Sequence, residues 1–232
     1  MNMKIQCLLS ATFITGFMAI ASAAPHDVPP EARESIEWCD IWISHANETN
    51  LPRVLLIGDS ITRAYYPEVE KKLAGKAYVA RLATSRFASD PILAKEIALV
   101  LDGTKFDIIH FNNGMHGWQH SEAEYRKAFP EFLATIQSHA PKAKLIWAST
   151  TTLKESKVLA PDALGQASDE RIAARNDIAL ECIKSKGIAV DNLFALGRGH
   201  PEFHSDNVHF NDQGILLQAG QVAGSIEKLL GH

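Results

Sequence analysis

Two stretches at opposite ends of the chain hold residues whose types and spacing could do chemistry together. They are Gly58-Asp59-Ser60 and Asp206-Asn207-Val208-His209. A serine hydroxyl is a poor nucleophile until an adjacent base takes its proton. An imidazole can be that base, and a nearby carboxylate can hold its tautomer and stabilise the imidazolium that forms. Each stretch alone has a plainer reading: Asp59 and Ser60 would cap the following helix, and Asp206 would turn a loop. Read together, Ser60, His209 and Asp206 form a candidate set for covalent acyl chemistry.

Such a set works only if the fold brings both ends of the chain to one place. Val54, Leu55, Leu56 and Ile57 read as a buried parallel strand, and Gly58 lets the backbone turn sharply after it. Ser60 then lies where strand passes to helix, at the sheet edge where open α/β folds bind ligands. Its own N–H, at a helix start, can donate to an anion.

Further strands are expected at 77–82, 106–111, 143–148 and 188–190, after the first at 53–57. Helices are expected at about 67–74, at 91–101 behind Asp90-Pro91, and from the capping box Ser121–Glu124 to His139. Two more should run from Ser168 or Asp169 to Lys186 and from Asp212 to about Leu230. The segment from Pro29 to about Asn47 reads as another helix, packing through Ile36, Trp38, Ile41 and Trp42, and 193–205 reads as loop. The polar stretch 150–168 is long enough to overhang the sheet edge as a lid. The expected architecture is one α/β domain over 24–232, a three-layer sandwich with a five-stranded parallel sheet in flavodoxin-like order 2-1-3-4-5.

The 232 residues are 46% hydrophobic and 22% charged, which is globular composition. A net charge of −4 with no basic tract argues against a nucleic-acid partner. Lys4, the apolar run 8–20 and Ala21-Ser22-Ala23 read as a secretory signal peptide cleaved near Ala23. The expected location is therefore secreted or periplasmic, with no stable membrane insertion after signal removal. Cys39 and Cys182 remain, either paired in an oxidising compartment or as two buried free thiols.

Gly58-Asp59-Ser60 and Asp206-Asn207-Val208-His209, with Asn211 and Gly214, resemble the first and last blocks of the SGNH (GDSL-type) hydrolases. The resemblance covers roughly 53–230. It implies Ser60 as nucleophile, His209 as base, Asp206 as its partner, and no metal or organic cofactor. Two inner blocks differ. The family's oxyanion glycine is absent from Arg81-Leu82-Ala83-Thr84-Ser85-Arg86, where the backbone N–H of Ser85 or Arg86 could serve instead. The family's Gly-x-Asn-Asp is here Gly114-Met115-His116-Gly117, so either His116 or Asn113 is the candidate oxyanion donor alongside Ser60. Asp59, Arg86 and Trp118 are candidate substrate contacts.

Rival patterns are weaker. Thr62 stands where an α/β-hydrolase elbow needs its last glycine. His110, His116 and His120, or His200, His204 and His209, lack the spacing of a metal motif, and no glycine-rich phosphate loop follows the first strand. The expected activity is hydrolysis of an exported carbohydrate ester, such as an acetylated sugar. Acyl transfer by the same residues, or a carbohydrate-binding protein that has lost catalysis, are the alternatives.

Overall fold

A computed structural model describes residues 33–157 and 164–231. Twelve strands and helices follow in order: β1 Cys39–Ile43, β2 Arg53–Gly58, α1 Ser60–Lys72, β3 Tyr78–Thr84, α2 Pro91–Gly103, β4 Ile108–Phe111, α3 Glu122–His139, β5 Lys144–Ala148, α4 Asp169–Ile183, β6 Ala189–Asp191, the short α5 Leu193–Gly197 and α6 Asp212–Leu230. They build one six-stranded sheet in the order β1-β3-β2-β4-β5-β6. All neighbours are parallel except β1 and β3.

Every residue of β2 is buried because helices cover both faces of the sheet, which is why this strand reads as an unbroken apolar run. One core joins the sheet to α2, α3 and α4 through Leu93, Ile97, Phe129, Ile136 and Ala179. The other joins it to α1 and α6 through Tyr65, Val69, Val222 and Ile226. Helix starts follow local chemistry. Asp90 caps α2 ahead of Pro91, Ser121 and Glu124 close a capping box on α3, and Ser168 caps α4.

The three-layer α/β class is as expected, and the strands after β1 keep the order 2-1-3-4-5. The sheet has six strands rather than five, because the segment expected as a helix around Ile36–Trp42 instead supplies β1. This strand pairs antiparallel to β3, from Cys39 opposite Thr84 to Ile43 opposite Ala80. Without it β3 would present an unpaired row of backbone donors and acceptors, so ladder formation overrides the helical reading. Ile36, Ile41 and Trp42 are accordingly exposed instead of packed. The loop expected at 193–205 contains α5 and a 3-10 turn at Pro201–Phe203. Cys39 and Cys182 are free, the first exposed and the second half-buried, so the buried-thiol expectation does not hold. The expected signal segment, 1–23, and the middle of the expected 150–168 lid lie outside the described residues.

Candidate active site

Ser60 opens α1 directly after β2. Gly58 is required at this junction because a Cβ there would lie 2.1 Å from Thr62 Oγ1, so no larger residue lets the helix fold back so closely. Asp59 caps the helix, its Oδ1 accepting the Ile61 N–H at 2.9 Å, and its side chain is buried. It was expected to contact substrate. The structure gives it the capping role instead, which fixes the backbone on either side of Ser60.

The other half of the site lies between the 3-10 turn and α6. Asp206 Oδ1 accepts the N–H groups of Val208 and His209 at 2.8 and 2.7 Å, closing a tight turn. The Ser205 N–H donates to the His209 carbonyl at 2.9 Å. Asn211 caps α6 through Gly214 N–H, and Asn207 accepts from the Glu155 N–H, so both flanks of the turn are anchored.

These two halves meet at the carboxyl edge of the sheet. His209 Nε2 lies 2.9 Å from Ser60 Oγ, across 149 residues of sequence. Nδ1 of the same ring lies 2.8 Å from Asp206 Oδ2. A carboxylate only accepts, so Nδ1–H donates to Asp206 and Nε2 is left as the acceptor of the Ser60 hydroxyl proton. Hydrogen bonds from the backbone N–H of His209, then from Val208 and the ring, outweigh the small burial cost and hold Asp206 at about 2. It is therefore a carboxylate across the physiological range. The side chains of His209 and Asp206 are 45% and 59% exposed, so the site is open to large substrates.

The residues expected around this relay divide. Ser60, at the first helical position, offers one of the orphan N–H donors of α1. The 85–86 backbone is otherwise engaged: the Ser85 N–H donates to the Trp38 carbonyl at 3.1 Å, and the Arg86 N–H leans on Thr84 Oγ1 at 3.3 Å. The chain leading into β1 has taken the Ser85 donor by extending the ladder, and Thr84 of β3 holds that of Arg86. The Arg86 guanidinium binds Glu37 and Asp90 instead of facing solvent as a substrate contact. Asn113 donates to the Arg86 carbonyl at 2.8 Å and so ties two loops together. The guanidinium of Arg175 lies over the Trp118 ring, 4.1 Å from the ring centroid, so Trp118 forms part of a support.

Arg175 escaped the sequence reading. It is fully buried, and its guanidinium donates to the carbonyls of Gly114, His116, Gly117 and His120 at 2.8–3.1 Å. Burial lowers its pKa to about 10, which leaves it charged at neutral pH. One guanidinium thus sets the path of the loop that carries His116. The available signal was a basic residue on the apolar stripe of α4, in helical register with Ile172 and Ala179. Gly117 takes φ +71° in this loop, and a Cβ there would strike Phe87.

The clustered histidines go separate ways. His110 is buried 2.9 Å from Asp191, His120 stacks on Phe87, and His204 packs on Phe210. Among the described residues no group of three His, Cys, Asp or Glu side chains could hold a metal ion.

No protein-family model matches the chain, and no curated protein matches it in sequence. Solved structures do match. A carbohydrate esterase family 3 protein from Talaromyces cellulolyticus is 17% identical over 78% of this chain and 98% of its own, with a TM-score of 0.62. A lipase/acylhydrolase from Enterococcus faecalis is 18% identical over 77% and 96%, at 0.57. A carbohydrate acetylesterase from Sinorhizobium meliloti is 12% identical over 77% and 99%, also at 0.57. The chain has the α/β fold of the SGNH (GDSL-type) hydrolases.

Proposed function

We propose that this protein is a serine ester hydrolase that removes acetyl groups from carbohydrate esters. The observation that carries the reading is the continuous relay Ser60 Oγ, His209 Nε2, His209 Nδ1, Asp206 Oδ2. Ser60 Oγ attacks the ester carbonyl as His209 takes its proton, and the Ser60 N–H donates to the oxyanion. Protonated His209 then gives that proton to the departing sugar oxygen, leaving an acetyl-serine. Water, deprotonated by the same imidazole, attacks this ester, and collapse of the second tetrahedral intermediate releases acetate and restores Ser60. Asp206 stabilises the imidazolium at both stages.

The carbohydrate substrate draws support from the similar Talaromyces and Sinorhizobium proteins, a carbohydrate esterase and a carbohydrate acetylesterase. The open site also suits a polymer. An exported location belongs to the same proposal and rests on Lys4, the apolar run and Ala21-Ser22-Ala23.

The test is acetate release from acetylated polysaccharides by the wild type and by Ser60→Ala. Release by the wild type and a loss of about 10⁴-fold or more in the variant are expected. Unchanged release by Ser60→Ala overturns the nucleophile assignment, and acetyl groups moved to an acceptor sugar instead of water would assign transfer.

A further inference from the structure

His116 stands where the SGNH pattern has asparagine, and the structure shows a partner for it that the motifs do not contain. Both carboxylate oxygens of Glu34 lie on His116 Nδ1, at 3.0 and 2.9 Å, and Oε1 also accepts the Gly117 N–H at 3.0 Å. Glu34 belongs to the segment that leads into β1, so it reaches the site across 82 residues. Trp38, from the same segment, sets its ring edge-on to the imidazole at 6.4 Å, and Arg63 of α1 covers Trp38. The pair repeats the carboxylate-on-Nδ1 arrangement of Asp206 and His209, and the charge of Asp59, next to Ser60 in sequence, acts on its ring.

The chemistry of this pair differs from that of an asparagine. A carboxylate on Nδ1 requires Nδ1–H, so the neutral ring presents a bare lone pair at Nε2, an acceptor useless to an oxyanion. Only the imidazolium presents Nε2–H. We propose that Glu34 is a positioning residue that orients His116 and keeps its ring cationic, so that Nε2–H donates to the oxyanion of the reaction proposed above. The inference rests on that reading of the site.

The charges around the ring favour the cation. Burial pulls His116 toward neutrality, but the Glu34 hydrogen bond and the charges of Asp59 and Glu34 outweigh it, and the ring titrates above the ordinary histidine range. Glu34 in turn is lowered: burial raises it, while the His116 contact and the Gly117 N–H more than compensate. The positive groups on the elements packed around it are Arg63, against Trp38, and Arg175, on the His116 carbonyl. Catalysis then needs His209 neutral and His116 charged, which confines it to a bell.

The test is the pH dependence of kcat/KM on 4-nitrophenyl acetate, beside an NMR titration of the histidine rings. The wild type should lose activity on the alkaline side as His116 deprotonates. Glu34→Gln keeps an acceptor for Nδ1–H but removes the charge. Its alkaline limb should move down by about one pH unit, and the His116 resonance should move with it. His116→Asn keeps a donor that does not titrate and should abolish that limb, whatever the rate that remains. A wild-type profile with no alkaline limb, or a Glu34→Gln profile and His116 titration identical to the wild type, overturns the proposal. Loss of Ser60 dependence in the wild type would instead take down the underlying assignment of the nucleophile.

Discussion

Asp206 divides one carboxylate among three donors: two backbone N–H groups shape the turn, and the ring N–H of His209 takes the remaining oxygen. Replacing it with asparagine keeps Oδ1 for the turn but sets an amide N–H against Nδ1. The ring then carries its proton on Nε2 and no longer accepts from Ser60. Asp206→Asn should lower kcat by roughly 10³–10⁴-fold with the urea midpoint little changed, as steady-state kinetics beside unfolding curves would show. Because Asp206 stays ionised down to about pH 2, it contributes no limb near neutrality. At this scale the relay was legible because Gly-Asp-Ser and Asp-x-x-His carry their chemistry in short spacings. Arg86, Asn113 and Trp118, expected as site contacts, each have a partner distant in sequence that the motifs could not show: Glu37, the Arg86 carbonyl and Arg175.

At the scale of elements, two supports hold the site without touching the relay. Arg175 on α4 satisfies four carbonyls of the loop 114–120, and its charge is screened by the rings of Trp118, Phe87 and Tyr125. Arg175→Met should leave those carbonyls without partners and cost about 3 kcal/mol or more, read from denaturant unfolding. Arg175→Lys keeps a charge but cannot reproduce the fork, so it should lower kcat while recovering only part of the stability. The second support is β1 with the segment before it, which closes the edge of β3 and delivers Glu34 and Trp38. The sequence could not separate this strand from a helix. Ile36, Trp38, Ile41 and Trp42 have no clean period, and what decides between them is the open edge of a strand about 40 residues further on.

For the whole molecule, the parallel strands and their helices were legible since buried β-branched runs alternate with capped, amphipathic helices. Clefts of about 360 and 380 Å³ lie where α2, α3 and α4 return to the sheet, at its amino edge, opposite Ser60. The hollow beside Asp59 is only about 10 Å³, and that between Glu34, Ser85 and Gly117 about 30 Å³. Neither hollow has room for a long acyl chain. Specificity should therefore fall at least about tenfold from 4-nitrophenyl acetate to the octanoate, measured as kcat/KM. Equal or faster octanoate hydrolysis would require an acyl channel that these dimensions do not provide.

The most direct measurement is mass spectrometry of protein quenched during turnover of 4-nitrophenyl acetate. Peptide mapping should find one acetyl group, on Ser60, and that adduct should be absent from Ser60→Ala and much diminished when His209, the base that activates the hydroxyl, is replaced by alanine. Turnover with no Ser60 adduct, and undiminished in Ser60→Ala, would contradict the account.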